Sequence, residues 1–371
     1  MASQAFDVVL APDFSEPVAS RFEILTLMFL ASWIEFGGRS RDLPLHLACI
    51  GEAPKSVRVL ADRCGALITT HSPLHFGEFA NKLRGFEVNR QTDHVLLLDS
   101  DMLVLSEIHG LPTALGGEFI SAAPSIGPCR VPSDRWIKAH EAIGLPYPDN
   151  RVIPLNLALD TFQCAPYRKR EDFPPYYNGG IVFASWESGL GDVWRDHLTR
   201  FLEFSPDILG AKRRFRNQPS LATAIHALQL NGFGFRLLPD EYHVHWQHIA
   251  AGSVPSQEAK LLHTVGFGRW LTKAENDRLA EEKGTYFSYF LRLKRRLRSR
   301  WIAQAQEKHA EEQIDAYVAN ILALTRRLRS HRDPLTRIAH YFTRRPQIRD
   351  CYRVYGLMKL LYDKYVRELK R

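Results

Sequence analysis

No apolar run in this 371-residue chain is long enough to cross a bilayer. The longest, Ile24 to Ile34, is bounded by Glu23 and Glu35 and interrupted by Thr26 and Ser32. A span needs roughly 20 predominantly apolar residues, so this stretch reads as a core helix. The N-terminus has neither a basic n-region nor an apolar h-region. Its first apolar run, Phe6-Asp7-Val8-Val9-Leu10, reads as a strand, and the expectation is a protein on the cytoplasmic side. Cysteine is scarce: Cys49, Cys64, Cys129, Cys164 and Cys351 are odd in number, scattered and without Cys-x-x-Cys spacing. That pattern excludes a disulfide framework and a zinc site and leaves small core residues. There is no internal repeat and no nucleic-acid-binding motif.

What is present fits a folded globular chain. Apolar residues make up 45% and charged residues 24%, and the length allows one large domain plus an appendage. The net charge of +8 is uneven. From Leu291 onward there are 21 Lys and Arg against 8 Asp and Glu, a surplus of +13 that leaves the preceding residues at −5. An electrostatic partner is therefore expected at the C-terminal end.

The first hundred residues alternate short apolar runs with helical spacing. Strands are expected at Phe6 to Leu10, Leu43 to Ile50, Ala66 to Thr70 and His94 to Leu98. Helices are expected at Val18 to Phe36, Lys55 to Arg63 and Phe76 to Asn89. Such alternation implies βαβ units and a mostly parallel sheet flanked by helices, an α/β fold. From Pro124 to Pro175 the pattern weakens and predicts a loop-rich region containing Trp136 and Arg168-Lys169-Arg170. A strand is expected again from Tyr176, then helices at Asp192 to Phe204 and Gln218 to Leu230, and a strand at Phe233 to Leu238. After Leu271 the sequence reads as helix, broken at Pro334 and Pro346.

Four features carry chemistry. His94-Val95-Leu96-Leu97-Leu98 runs into Asp99-Ser100-Asp101. Two carboxylates after a strand buried on both faces need neutralising, and a hard divalent cation would do so. A turn or helix cap is the plainer reading. Asn178-Gly179-Gly180 offers close backbone approach beside an amide that donates and accepts, or simply a hairpin turn. Asn217-Gln218-Pro219-Ser220 opens an apolar helix, which proline in the first turn explains alone. His263, followed by Gly266 and Arg269, pairs an imidazole able to ligate manganese with a guanidinium able to bind phosphate.

In this order and spacing, residues 6 to 271 resemble glycosyltransferases of the GT-A (Rossmann-like) fold, most closely the family-8 type, the glycogenin and bacterial galactosyltransferase group. The resemblance implies that Asp99, Asp101 and His263 hold Mn²⁺ or Mg²⁺ on a nucleotide-sugar diphosphate, with a UDP-sugar as donor. It implies that Ala11 and Asp13 contact the base. Lys82, Gly266 and Arg269 would serve the diphosphate, with Arg269 standing where the family has Lys. Asn178, Gly179, Gly180 and Gln218 would lie near the sugar. The family's Asp-Gln pair corresponds to Asn217-Gln218, so a neutral amide replaces an acid there. Retention of anomeric configuration is also implied. No carboxylate is placed as a nucleophile, so front-face attack by the acceptor is expected. An inverting route would need a base such as Glu187 or Asp192.

These readings divide the chain into a catalytic domain, residues 1–275, and an α-helical extension, residues 276–371. Within the extension, Tyr286 to Ile302 interleaves aromatics with dense Arg and Lys. Such a segment either lies on an anionic membrane surface or covers the catalytic domain with a solvated outer face. The expectation is a peripheral protein on the cytoplasmic face of a membrane, using a glycan or lipid-linked acceptor; nucleic acid is not expected as a partner. Two rivals stand: a non-catalytic scaffold that kept the fold, and a sugar-nucleotide nucleotidyltransferase. The latter is disfavoured because no Gly-rich, Arg-containing phosphate loop follows the first strand.

Overall fold

The computed structural model describes residues 5–15, 19–75, 80–125, 133–150, 152, 174–203, 217–245, 254 and 258–263. Among the described residues, nine strands form two sheets: β1 (Asp7–Leu10), β2 (Leu45–Ile50), β3 (Leu67–His71), β4 (His94–Leu98), β5 (Met102–Val104), β6 (Ile120–Pro124), β7 (Tyr177–Ser185), β8 (Phe235–Leu237) and β9 (Leu261–His263). Seven of them make the main sheet, in the order β3-β2-β1-β4-β7-β6-β8. β3, β2, β1 and β4 pair in parallel, β7 runs against both β4 and β6, and β8 is parallel to β6. One reversed strand in an otherwise parallel sheet gives the mixed, mostly parallel arrangement that the sequence predicts. The second sheet is the small antiparallel pair β5–β9.

The α-helices are α1 (Ala19–Phe36), α2 (Lys55–Arg63), α3 (Leu111–Leu115), α4 (Ser133–Ala142), α5 (Leu190–Glu203) and α6 (Asn217–Leu230). They cover both faces of the sheet, and the strand pleat decides which residue meets which layer. Leu96 and Leu98 of β4 join a core with Val8, Leu10, Phe29 and Trp33 on the α1–α2 side. Val95 and Leu97 face the other way, into a core with Trp136, Trp194, Phe201 and Ile225. Being buried on both faces is why this strand shows no polar alternation. Trp33, Trp136 and Trp194 are fully buried; truncating such a side chain to alanine costs about 3–5 kcal/mol.

Most expected elements stand within two residues of their predicted ends, and Lys55–Arg63 and His94–Leu98 coincide with them. The segment expected as a helix from Phe76 to Asn89 differs. Residues 76–79 lie outside the described residues, and Asn81–Glu87 is a 3₁₀ turn rather than an α-helix. Gly85 gives the reason. A Cβ there would collide with Leu97 Cδ1 and come within 3.1 Å of Val9 Cγ1. The turn lies directly on β1 and β4, and only glycine permits that approach. The stretch expected as loop also holds a helix, α4, whose Trp136 is buried against Phe201 at a ring separation of 6.2 Å. Strands β5 and β6 and helix α3 are additional to the expectation. Residues 264–371, with the basic segment and the whole proposed extension, lie outside the described residues, as do Cys129, Cys164 and Arg168 to Arg170.

Among the described residues, no helix is long and apolar enough to cross a membrane. Cys49 is buried and Cys64 half-buried; both are free thiols that burial pushes up to about 12, in keeping with inert core positions.

Candidate active site

β4 delivers its chain to Asp99 at the carboxyl end of the sheet, where ligands of α/β folds bind. Asp99 N donates to Gly180 O at 2.8 Å, so the acid turn is tied to β7, and Met102 N donates back to Asp99 O at 3.2 Å. The chain then enters β5, whose Met102 sits opposite His263 of β9. This pairing brings His263 to the acids although it lies far away in sequence. Ligand atoms of Asp99, Asp101 and His263 lie within 4.8 Å of one another.

His263 Nε2 is 3.2 Å from Asp101 Oδ1, with side-chain exposures of 2% and 13%, yet that nitrogen makes no hydrogen bond. A buried imidazole nitrogen without a hydrogen bond and facing two carboxylates is an unusual expense in a folded protein. Gly180 lines the same space. A Cβ on it would come 2.7 Å from Asp99 Oδ2 and 2.8 Å from His263 Cε1, so glycine is what keeps the space between the ligands open. Two carboxylates and one imidazole suit Mn²⁺ or Mg²⁺, and the residues present fit such an ion.

The cation already at the site is Lys82, carried by the 3₁₀ turn that Gly85 seats. Its Nζ donates to Asp99 Oδ1 and, at 2.9 Å, to Gly179 O. Asn178-Gly179-Gly180 is not a hairpin turn; it lies inside β7. Asn178 Oδ1 accepts from Gly180 N at 2.8 Å, which holds the strand in this local shape. Two helices lie against Gly179, where a Cβ would make ordinary contacts with the Trp194 ring at 3.5 Å and Asn217 Nδ2 at 3.7 Å. Trp194 Nε1 in turn donates to Asn217 O at 3.0 Å and to Ser220 Oγ at 3.1 Å, fixing the start of α6 against α5. Asn217 is thus buried beside Asn178-Gly179-Gly180, and Gln218, next along the first turn of α6, is half-buried.

Ala11 and Asp13 follow β1 at the same sheet end, Asp13 bridging to Ile50, the last residue of β2. The Asp13 carboxylate is 3% exposed. It accepts from Ser15 N at 3.0 Å, from Ser15 Oγ, and from Asn81 Nδ2 at 2.7 Å. Gly266 and Arg269 lie outside the described residues. Glu187 is exposed and follows Ser185, whose partner in β4 is His94; it sits at the opposite end of the strand from Asp99.

Residues 19–229 match the family model of the Rhodobacterales glycosyltransferase domain. The chain belongs to that glycosyltransferase family. No curated protein matches the sequence. Among solved structures, this glycosyltransferase is similar to mouse xyloside xylosyltransferase 1 in its apo form, at 12% identity over 71% of this chain and 98% of that one, with a TM-score of 0.43. It is also similar to the galactosyltransferase LgtC in complex with donor and acceptor sugar analogues, at 13% identity, 72% and 90% coverage and a TM-score of 0.42. A third similar structure is the glycosyltransferase GlyE of Streptococcus pneumoniae, at 13% identity, 72% and 57% coverage and a TM-score of 0.40.

The enzyme also places residues near the site that sequence reading passed over. Asn81 links Asp13 to the backbone, accepting from Leu74 N at 2.7 Å. His243 and His245 are 2% and 1% exposed and lie against the His263 ring. Their His-x-His spacing in extended chain puts both imidazoles on one side, and that spacing was the available signal.

Proposed function

We propose that this glycosyltransferase moves a sugar from a nucleoside-diphosphate donor, a UDP-sugar, to a glycan, lipid-linked or protein acceptor, with a divalent metal and with retention of configuration. The convergence of Asp99, Asp101 and His263 carries this reading. These three would hold Mn²⁺ or Mg²⁺, which when bound supplies charge stabilisation to a departing diphosphate.

The remaining roles belong to the chain. Glycosyl transfer builds positive charge on the anomeric carbon and negative charge on the leaving diphosphate. Lys82 sits where it can pass from Asp99 to a diphosphate oxygen, a fixed cation where that charge develops. Arg269 would add a second. Ala11 and Asp13, stiffened by Asn81 and Ser15, would receive the base. Asn178, Gln218 and Asn217 would face the donor sugar, with Asn217 contributing a neutral amide. None of Asn178, Asn217 and Gln218, the residues assigned to the sugar, is a carboxylate, which supports front-face attack by the acceptor hydroxyl over a covalent glycosyl intermediate.

The decisive experiment is hydrolysis of UDP- and GDP-sugars with Mn²⁺ and no acceptor. Turnover is expected in the wild type and its loss in Asp101→Ala. Turnover unchanged in Asp101→Ala would overturn the metal assignment, and pyrophosphate release from a nucleoside triphosphate would instead mark a nucleotidyltransferase. We further propose that the basic, aromatic segment 286–302 holds the enzyme on the anionic cytoplasmic surface of a membrane. Full-length protein should then sediment with anionic liposomes far more than a chain ending near Glu275. Equal partitioning would remove the membrane from the picture.

A further inference from the structure

The environment of His263 holds more than the metal reading requires. Its Nδ1 lies 2.9 Å from His243 Nε2, the two rings 5.1 Å apart at 52°. Both imidazoles are 2% exposed, so water does not easily substitute for either partner. The backbone clamps the pair. Val244 N donates to Leu261 O at 2.9 Å and His263 N donates to Val244 O at 2.8 Å. On the opposite side of β9, Leu262 and His263 pair with β5. His245 closes the remaining flank, its ring edge-on to His263 at 5.4 Å and 78°.

One hydrogen bond between two neutral imidazoles allows two proton arrangements. If His243 Nε2–H donates, His263 must carry its own proton on Nε2 and points it toward Asp101. If His263 Nδ1–H donates, its Nε2 presents a lone pair to the acids, and His243 carries its proton on Nδ1. Only the second arrangement makes Nε2 a ligand. The heavy atoms are placed for it: Nε2 faces Asp101 Oδ1 at 3.2 Å, while Nδ1 faces His243 Nε2. A ligating histidine commonly has its other nitrogen anchored by an acceptor, usually a carboxylate or carbonyl. Here a second, fully buried histidine stands in that place.

We infer that His243 is a positioning residue that selects the Nε2-ligating tautomer of His263 by accepting its Nδ1 proton. The inference rests on the metal site proposed above, and the test separates the two. In metal-free wild-type protein, long-range ¹H–¹⁵N spectra should show His263 protonated at Nδ1 and bare at Nε2; the reverse pattern overturns the inference. Mn²⁺ alone is then titrated against folded protein, following free ion by electron paramagnetic resonance. His243→Phe, which keeps a ring but no acceptor, should weaken Mn²⁺ about 10- to 100-fold. His243→Gln, whose carbonyl can accept the same proton, should recover most of that loss. A side chain that merely fills space predicts the opposite order, with Phe tolerated better than Gln. Wild-type affinity in His243→Phe defeats the inference and leaves the metal site standing. Failure of wild type to bind Mn²⁺ more tightly than Asp101→Ala defeats both.

Discussion

The sheet carries buried or half-buried carboxylates at both ends, and the two ends treat them differently. At the amino end of β1, Asp7 is fully buried. Its oxygens accept from His46 Nε2 at 3.3 Å, Gln91 N at 3.0 Å, Thr92 N at 3.3 Å and Trp186 Nε1 at 3.2 Å. Burial pushes the Asp7 carboxyl up, but the His46 hydrogen bond and these other donors outweigh it and hold the group below its usual 3.8. At the carboxyl end, Asp99 and Asp101 retain partial exposure and face a histidine nitrogen that makes no hydrogen bond. Fixed donors saturate the first carboxylate, which knits strands together. The pair at the other end keeps partial exposure beside the His263 imidazole, as the ion site proposed above requires.

That contrast can be broken by substitution. The largest effect is expected at Gly180→Ala, where the added methyl enters the space between Asp99 and His263. Donor turnover should fall at least about 100-fold, since displacing reacting groups by about 1 Å does that much. The thermal midpoint should move little. Near-normal turnover in Gly180→Ala would mean that the open space is not where the donor is processed.

Asp7→Ala should show the mirror image. It strips the acceptor from three part-buried N–H groups and from the buried His46, and should cost about 3–5 kcal/mol of unfolding free energy, read by urea denaturation. The folded fraction should keep wild-type turnover. A stable Asp7→Ala protein without activity would erase the distinction between the two ends.

The smallest effect is a pH dependence. Because the folded Asp7 pKa lies below 3.8, the unfolded chain takes up the proton first. The carboxylate's contribution is therefore complete above that pH and is lost as pH falls through the folded value. Comparing wild type with Asp7→Asn between pH 5 and pH 2.5 should show the steeper loss in wild type. Parallel slopes would show that Asp7 does not drive it.

Legibility in the sequence follows from how local each signal is. Leu96, Leu97 and Leu98 announce a doubly covered strand without any partner being known, and Val57, Leu60 and Ala61 mark the buried side of α2. Asp99, Asp101 and His263 could be grouped because each is chemically loud and their order resembles a known family. β5 could not be seen. It is three residues long and is a strand only through Leu261–His263, far along the chain. The 3₁₀ turn at Asn81–Glu87 depends on how near β1 and β4 come to Gly85, a property of the assembled sheet. His243 escaped because a histidine gains meaning from the ring it touches, and that ring is twenty residues away.

The antiparallel pairing of Met102 with His263 sets a clock on the enzyme's birth. Both acids leave the ribosome about 160 residues ahead of the imidazole, an interval of roughly 10–30 s at ordinary rates of translation. Throughout it the nascent chain can complete much of its sheet but lacks the imidazole, so the proposed ion site can be assembled only after residue 263 has emerged.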